Sequence, residues 1–345
     1  MIKIGLNGFG RIGRIVARIL SVRKDFKLVV INEIDDDINN LAYLLKHDSI
    51  YGKFKQNIKV KNNYILINKK KVKVFSKKSI EEVPWKKFNV DVVIEATGVS
   101  KNVSGAKKVV KSGGVPKVLI THSPKNVDFT MILGVNEKKY NFKKHNIISS
   151  SICDASAIAP VLKSIDTNWG IENGYVTTLH PRLSYQNLLD GSLKSVSNPG
   201  HSWKNYSLGR DSIASLIPKK TTAVKAITEC MPELKNKVAG MSFRVPTSIV
   251  CASDLTIKVK KNVSIEKVKN LFKNLSSTKG KIYEYEKDTL VSIDFLGTTK
   301  SVIVDSNFIN VIDSKLIKMI IWYDNEWGYS NRVVDIAKLI LSKKI

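Results

Sequence analysis

The 345-residue chain is long for one hydrophobic core, so two domains are expected, and 43% hydrophobic with 25% charged residues is an ordinary globular composition. No apolar run approaches the roughly 20 residues that cross a bilayer, and three cysteines (Cys153, Cys230 and Cys251) make a disulfide framework a poor fit, so no membrane partner and a cytoplasmic setting with reduced thiols are expected. The net charge of +27 invites a nucleic-acid partner, but only eight of the 57 basic residues are Arg and the Lys are spread along the chain, so a solvated lysine surface is expected instead.

Ile2 to Leu6 reads as a buried strand rather than a signal peptide. It runs into Asn7-Gly-Phe-Gly-Arg-Ile-Gly-Arg14, followed by a helical pattern with Ile12, Ile15, Val16, Ile19 and Leu20 on one face. Gly8, Gly10 and Gly13 thus satisfy G-x-G-x-x-G between a strand and a helix. Gly8 is expected to make the tight turn, Gly10 to leave room for a pyrophosphate, and Gly13 to let helix and strand approach. A second strand, Leu28 to Ile31, leads to Glu33, where an acid accepts hydrogen bonds from the adenosine ribose hydroxyls and repels a 2′-phosphate. NAD is therefore the expected cofactor.

Val90 to Glu95, ending in Ala96-Thr97-Gly98, and Val118 to Thr121, before His122-Ser123-Pro124, fit two further strands of a doubly wound sheet. Loops after strand C-termini line the ligand crevice in such sheets, so Thr97, Gly98 and Ser123 are candidates to face the nicotinamide half. His122 reads as a loop residue.

After residue 150 the strands lengthen and alternate, as in Tyr175–Leu179 and Thr256–Lys260, which predicts a mostly antiparallel sheet covered by helices on one face. At the switch, a short strand precedes Cys153 at the first turn of a helix carrying Ala155, Ile158, Ala159 and Leu162. A thiol there is expected to have its thiolate stabilised by the helix dipole. His180, ending a strand, is the candidate base, whereas His47, His145 and His201 lie in polar surroundings suited to solvent. No metal site is expected. Residues 181–218 form a long polar connection with scattered aromatics, of a length usually tied to function or an interface.

Five segments then carry a resemblance: Asn7–Arg14, Leu44-Leu-Lys-His-Asp-Ser49, Glu95-Ala-Thr-Gly98, Gly240-Met-Ser-Phe-Arg-Val-Pro-Thr247 and Trp322-Tyr-Asp-Asn-Glu-Trp-Gly-Tyr-Ser-Asn-Arg332. In this order they resemble the glyceraldehyde-3-phosphate dehydrogenase family. The resemblance implies an α/β chain: a Rossmann NAD-binding domain over 1–150, completed by a C-terminal helix at about 330–345 capped by Ser330 or Asn331, and an α+β catalytic domain over 151–329. It implies Cys153 as nucleophile, His180 as base, Arg11 and Ile12 at the pyrophosphate, Asn325 at the nicotinamide carboxamide and Arg244 at the substrate phosphate. It also implies a homotetramer acting on a small phosphorylated aldehyde, with inorganic phosphate as acyl acceptor.

The chain departs from the family where phosphate is expected. The family run Ser-Cys-Thr-Thr-Asn reads Ile152-Cys153-Asp154-Ala155-Ser156, the phosphate-contacting Thr becomes Leu183, and a nearby Asp becomes Tyr185. A carboxylate beside a bound anion costs on the order of 4 kcal/mol for unit charges some 4 Å apart at an effective dielectric of about 20. Pro-Thr-Ser-Thr-Gly becomes Pro218-Lys219-Lys220-Thr221-Thr222, so Thr221 is kept, and Lys219, Lys220, Arg182 and Arg210 are candidates to rebuild an anion site. Three readings follow: a phosphorylating dehydrogenase, a paralogue with another phosphorylated aldehyde or acyl acceptor, and a non-catalytic NAD-binding or RNA-binding protein.

Overall fold

The computed structural model describes residues 1–194 and 204–342, so His201 and part of the 181–218 connection fall outside it. The chain divides into two compact units, one of residues 1–152 with 329–345 and one of residues 153–328.

The first unit is built on strands β1 (Ile2–Asn7), β2 (Phe26–Asn32), β3 (Ile58–Lys61), β4 (Tyr64–Ile67), β5 (Lys70–Phe75), β6 (Val92–Glu95), β7 (Lys117–Ile120), β8 (Phe129–Thr130) and β9 (Ile147–Ser149). Their order in one sheet is β3-β4-β5-β2-β1-β6-β7-β9-β8, parallel from β5 to β8, with β3 and β4 added as an antiparallel hairpin. Helices α1 (Arg11–Val22), α2 (Ile38–Lys46) and α3 (Asn102–Lys111) make the crossovers. β1, β6 and β7 are apolar runs almost wholly out of water, as strands covered on both faces must be. Sequence order reverses at β1, which has β2 on one side and β6 on the other, so the crevice of this doubly wound sheet opens at the C-terminal ends of those strands.

The second unit is an α+β layer. Helix α4 (Cys153–Trp169) leads into β10 (Ile171–Pro181), then β11 (Ile217–Lys220), α5 (Ala223–Cys230), β12 (Val238–Val245), β13 (Cys251–Val259), α6 (Ile265–Thr278), β14 (Tyr283–Glu286), β15 (Val302–Asp305), β16 (Asn310–Ile312) and β17 (Leu316–Tyr323). The sheet order is β11-β12-β10-β13-β17-β15-β14, with β16 also on β17. Pairing is antiparallel except at β10/β12 and β14/β15, so the sheet is mostly antiparallel, as the alternation predicts. The parallel β10/β12 pair sets His180 beside Arg244 in register. Strand alternation turns Val176, Thr178 and His180 to one buried face, with Ser242 and Arg244 on β12 and Ile317, Met319, Ile321 and Tyr323 on β17. Ser253 links the strands, its hydroxyl lying 3.2 Å from that of Tyr323 and 3.5 Å from that of Thr178.

The last helix, α7 (Trp327–Leu339), starts earlier than the sequence indicated. Asp324, not Ser330 or Asn331, receives the first N–H groups: its Oδ1 accepts from Glu326 N at 3.0 Å and Trp327 N at 2.7 Å. An aspartate both caps well and complements the positive end of the helix. Ser330 instead sits one turn inside, its hydroxyl buried with no hydrogen-bond partner among the described residues. From Tyr329 onward the chain belongs to the first unit, where Ile340 O accepts from the Tyr140 hydroxyl at 2.8 Å. None of the described helices is long and apolar enough to cross a membrane.

Candidate active site

In the first unit the three glycines have three different physical reasons. Gly8 has φ of +94°, and a Cβ there would lie 2.7 Å from Thr97 N. At Gly13 a Cβ would lie 2.2 Å from Gly8 O, so any side chain would push α1 away from β1. Gly10 is exposed, and a Cβ there would meet nothing within 4 Å, which is the open ground a pyrophosphate needs. Gly10 also precedes α1 without a side-chain cap, leaving the first N–H groups of the helix to a ligand. The Arg11 side chain is turned to Asp48 at 2.6 Å, so a pyrophosphate contact from Arg11 or Ile12 falls to backbone N–H groups.

Glu33 is held against this turn. Its Oε2 accepts from Phe9 N at 2.5 Å and its Oε1 from Ile34 N at 2.8 Å, which fixes the carboxylate beside the glycines. Behind the turn lies a network the sequence did not disclose. Glu95, fully buried, accepts from Asn7 Nδ2, from Thr97 N at 2.9 Å and from the Thr97 hydroxyl, while Asn32 donates to Asn7 Oδ1 at 2.7 Å. Burial pushes the Glu95 carboxyl up, against the pull of these donors. Asn7 and Thr97 therefore turn their side chains inward and tie the ends of β1, β2 and β6 together. Gly98 follows with φ of +72°, and the Ser123 hydroxyl and both His122 ring nitrogens are buried without hydrogen-bond partners among the described residues. An open glycine, an uncapped helix start, a fixed acid and an orphan hydroxyl fit a dinucleotide.

In the second unit, the first turn of α4 meets the buried face of the sheet where it carries His180, Arg244 and Tyr323. Cys153 Sγ lies 3.8 Å from His180 Nε2. His180 Nδ1 is 2.8 Å from Pro181 O, and only an N–H there makes that contact a hydrogen bond, so the Nε2 lone pair faces the thiol. Asp154 is also turned inward: its Oδ1 accepts from the Tyr323 hydroxyl at 2.8 Å, and lies 3.6 Å from Cys153 Sγ and 4.0 Å from His180 Nε2. A charge-assisted hydrogen bond of this kind contributes roughly 1.5–3 kcal/mol, which offsets part of the cost of burying the carboxylate.

The electrostatics differ from the expectation of a dipole-stabilised thiolate. Burial, and then the Asp154 carboxylate, push the Cys153 thiol well above its ordinary range, with Arg244 pulling the other way. Burial, and then Arg244, push His180 down to about 4. The resting pair at neutral pH is thus a thiol and a neutral imidazole, and the helix start does not overcome a buried like charge next to it.

Arg244 is buried, and Tyr185 hydrogen-bonds with it, so the position that reads Asp in the family is here a phenol on the same guanidinium. Lys219 is half-buried and feels Arg244, Asp154 and Cys153, whereas Lys220, one step along β11, is exposed. Two other candidates are engaged elsewhere. Arg210 is exposed and pairs with Asp190 at 2.8 Å, and the Thr221 hydroxyl accepts from Ala223 N at 3.0 Å at the start of α5. Asn325 is buried and accepts from Val250 N at 3.2 Å. Sequence reasoning missed Tyr323 as a site residue, although it stands in the Trp322–Arg332 segment and its phase in β17 turns it to the buried face.

Two outcomes follow. Iodoacetamide labels Cys153 before Cys230 and Cys251, which are buried, and His180→Asn slows that labelling because the acceptor for the thiol proton is gone. Faster labelling of either other cysteine, seen by peptide mass spectrometry, contradicts the assignment. Glu33→Ala weakens NAD binding and narrows its preference over NADP in a calorimetric titration; unchanged affinities for both would remove Glu33 from the site.

Comparison with known proteins agrees with this geometry. Residues 2–103 match the family described as "Glyceraldehyde 3-phosphate dehydrogenase, NAD binding domain", and residues 152–325 match "Glyceraldehyde 3-phosphate dehydrogenase, C-terminal domain". The chain is 40% identical to glyceraldehyde-3-phosphate dehydrogenase 1 of Kluyveromyces marxianus over 339 residues, 98% of this chain and 99% of the relative. It is 40% identical to glyceraldehyde-3-phosphate dehydrogenase 2 of Nostoc sp. over 348 residues, and 38% identical to the glyceraldehyde-3-phosphate dehydrogenase of Geobacillus stearothermophilus over 344, in both cases 99% of each chain. With both halves matched and the likeness running nearly end to end, the chain belongs to the glyceraldehyde-3-phosphate dehydrogenase family.

Proposed function

We propose that this protein is an NAD-dependent dehydrogenase that oxidises glyceraldehyde 3-phosphate through a Cys153 thioester, with inorganic phosphate as the acyl acceptor, a reaction of glycolysis and gluconeogenesis. The observation that carries the reading is the Cys153–His180 pair, 3.8 Å apart, with the imidazole tautomer fixed by Pro181 O.

Cys153 Sγ adds to the aldehyde carbon as His180 Nε2 takes the thiol proton, and the Cys153 N–H and protonated His180 hold the developing oxyanion. A neutral imidazole at rest is the form required to accept that proton. NAD, when bound at the Gly8–Gly13 turn and Glu33, supplies the two-electron oxidation that turns the hemithioacetal into a thioester. Phosphate then attacks the thioester carbonyl, the C–S bond breaks, and the acyl phosphate leaves with the Cys153 sulfur free again.

Arg244 is proposed to hold the substrate phosphate, its planar fork suiting a phosphate oxygen pair. Lys219, drawn into the same electrostatic neighbourhood, is proposed to offset Asp154 when phosphate enters. Lys220 and Arg210 carry less of this role, one facing away along β11 and the other paired with Asp190. A cytoplasmic homotetramer is proposed from the family likeness, and exposed Leu188, Leu189, Tyr206 and Leu216 in the long connection support an interface between copies. A light-scattering mass near that of one chain would count against it.

NADH formation from glyceraldehyde 3-phosphate, followed at 340 nm, tests the reaction. The steady-state rate is expected to depend on phosphate, Lys219→Ala to raise the apparent KM for phosphate several-fold, and Asp154→Thr to lower it. A full steady-state rate in phosphate-free buffer contradicts the acceptor.

A further inference from the structure

We propose that Cys153, Asp154 and His180 together form a three-ligand site for a borderline-soft divalent cation of the zinc type, and that its occupancy reversibly silences the protein. The chain offers one sulfur, one oxygen and one nitrogen donor, all within 4.8 Å of one another. Their separations are 3.6 Å (S to O), 3.8 Å (S to N) and 4.0 Å (N to O). A point equidistant from three donors so spaced lies ~2.2 Å from each, and zinc bonds to sulfur, nitrogen and carboxylate oxygen run from about 2.0 to 2.3 Å. That point lies in the plane of the donors; a four-coordinate ion, lifted out of it, needs them about 3.3–3.6 Å apart, so the triangle must close by a few tenths of an ångström on binding.

Two features beyond the triangle favour a metal. His180 donates its far ring N–H to Pro181 O, the outer contact that metal-ligating imidazoles make, and this presents the Nε2 lone pair to the site. The Tyr323 hydroxyl donates to Asp154 Oδ1, the same oxygen that faces Cys153 and His180, which orients the carboxylate and leaves that oxygen a second lone pair for the ion. Both supports are buried, so the donors are held close to one another before an ion arrives. A sulfur and an imidazole exclude magnesium and calcium, which take oxygen donors, and leave zinc or its neighbours, with a fourth position for water or another anion. Arg244 and Lys219 act against a cation, so exchange rather than permanent retention is expected. The sequence carries no metal-ligand motif, since two donors are adjacent in the chain and the third is brought in only by the β10 fold-back.

The silencing rests on Cys153 being the nucleophile, because a sulfur bonded to metal cannot add to an aldehyde. The binding itself does not. Cobalt(II) added to the purified chain reads it directly. One cobalt per chain is expected, with a near-ultraviolet thiolate-to-cobalt band and the strong visible bands of four-coordinate geometry, both abolished by zinc or by prior alkylation of Cys153. Asp154→Ala is expected to weaken zinc binding by more than about tenfold in a competition with a chromophoric chelator, and Tyr323→Phe by about tenfold, the lower end of what loss of an outer partner costs. NAD binding in each variant reports that the chain is folded. Absence of the thiolate band in the unaltered chain, or zinc affinity unchanged in folded Asp154→Ala, overturns the site. A chain that shows the band but never oxidises the aldehyde keeps the metal site and loses the enzymatic reading, and the reverse pattern does the opposite.

Discussion

The hydrogen bond from the Tyr323 hydroxyl to Asp154 is the contact on which the catalytic unit turns. It spans 169 positions of sequence at 2.8 Å and fastens the first turn of α4 to the end of β17. A buried carboxylate beside the nucleophile is costly unless its oxygens find donors, and Tyr323 is the donor provided. Once Asp154 is fixed there, Cys153 is fixed too, and its sulfur falls beside His180 at the end of β10. Burial, and then the same carboxylate, push the thiol above its ordinary range, and a neutral imidazole stands beside it to take its proton. Arg244 and Lys219 bring opposing charge into the surroundings of Asp154. One residue exchange, from a hydroxyl to a carboxylate, thus alters the balance of acid, base and anion across the whole pocket.

The first unit depends on space instead of charge. Gly8 and Gly13 are required by contacts that a single carbon would violate, and Gly10 by what must later fit against it. The Asn7–Glu95–Asn32–Thr97 network holds the ends of three adjacent strands in place beneath the turn. Its centre is a fully buried acid, so its satisfaction by amide and hydroxyl donors is a condition of the fold as much as of cofactor binding.

What the sequence disclosed was local in cause. A strand, a glycine turn, a helix and an acid lie within 33 residues, and Gly13 answers to Gly8 five positions away, although the crowding at Gly8 comes from Ala96 and Thr97. Cys153 and His180 were legible from their places at a helix start and a strand end, to which the resemblance added their roles, and the structure supplies the 3.8 Å approach. What stayed hidden was long-range. Tyr323 joins the site through the pairing of β13 with β17, and Glu95 through strands β1 and β2, neither of which a short window reveals. Lys219 and Lys220 are indistinguishable by composition and separate only when the phase of β11 against β12 is known. The cap of α7 was misplaced because Ser330 and Asn331 are good capping types, yet Asp324 precedes them and closes the helix first. Arg210 looked available until its partner Asp190, twenty residues earlier, came into view.

The central claim is that Cys153 carries the acyl group while His180 handles its proton. Intact-protein mass spectrometry after acid quench tests it most directly, on enzyme mixed with NAD and glyceraldehyde 3-phosphate in phosphate-free buffer. The account predicts an adduct of one phosphoglyceroyl group per chain, mapped to the peptide bearing Cys153 and discharged within seconds when phosphate is added. An adduct on another residue, or NADH formed in a burst with no acyl group on Cys153, would contradict it.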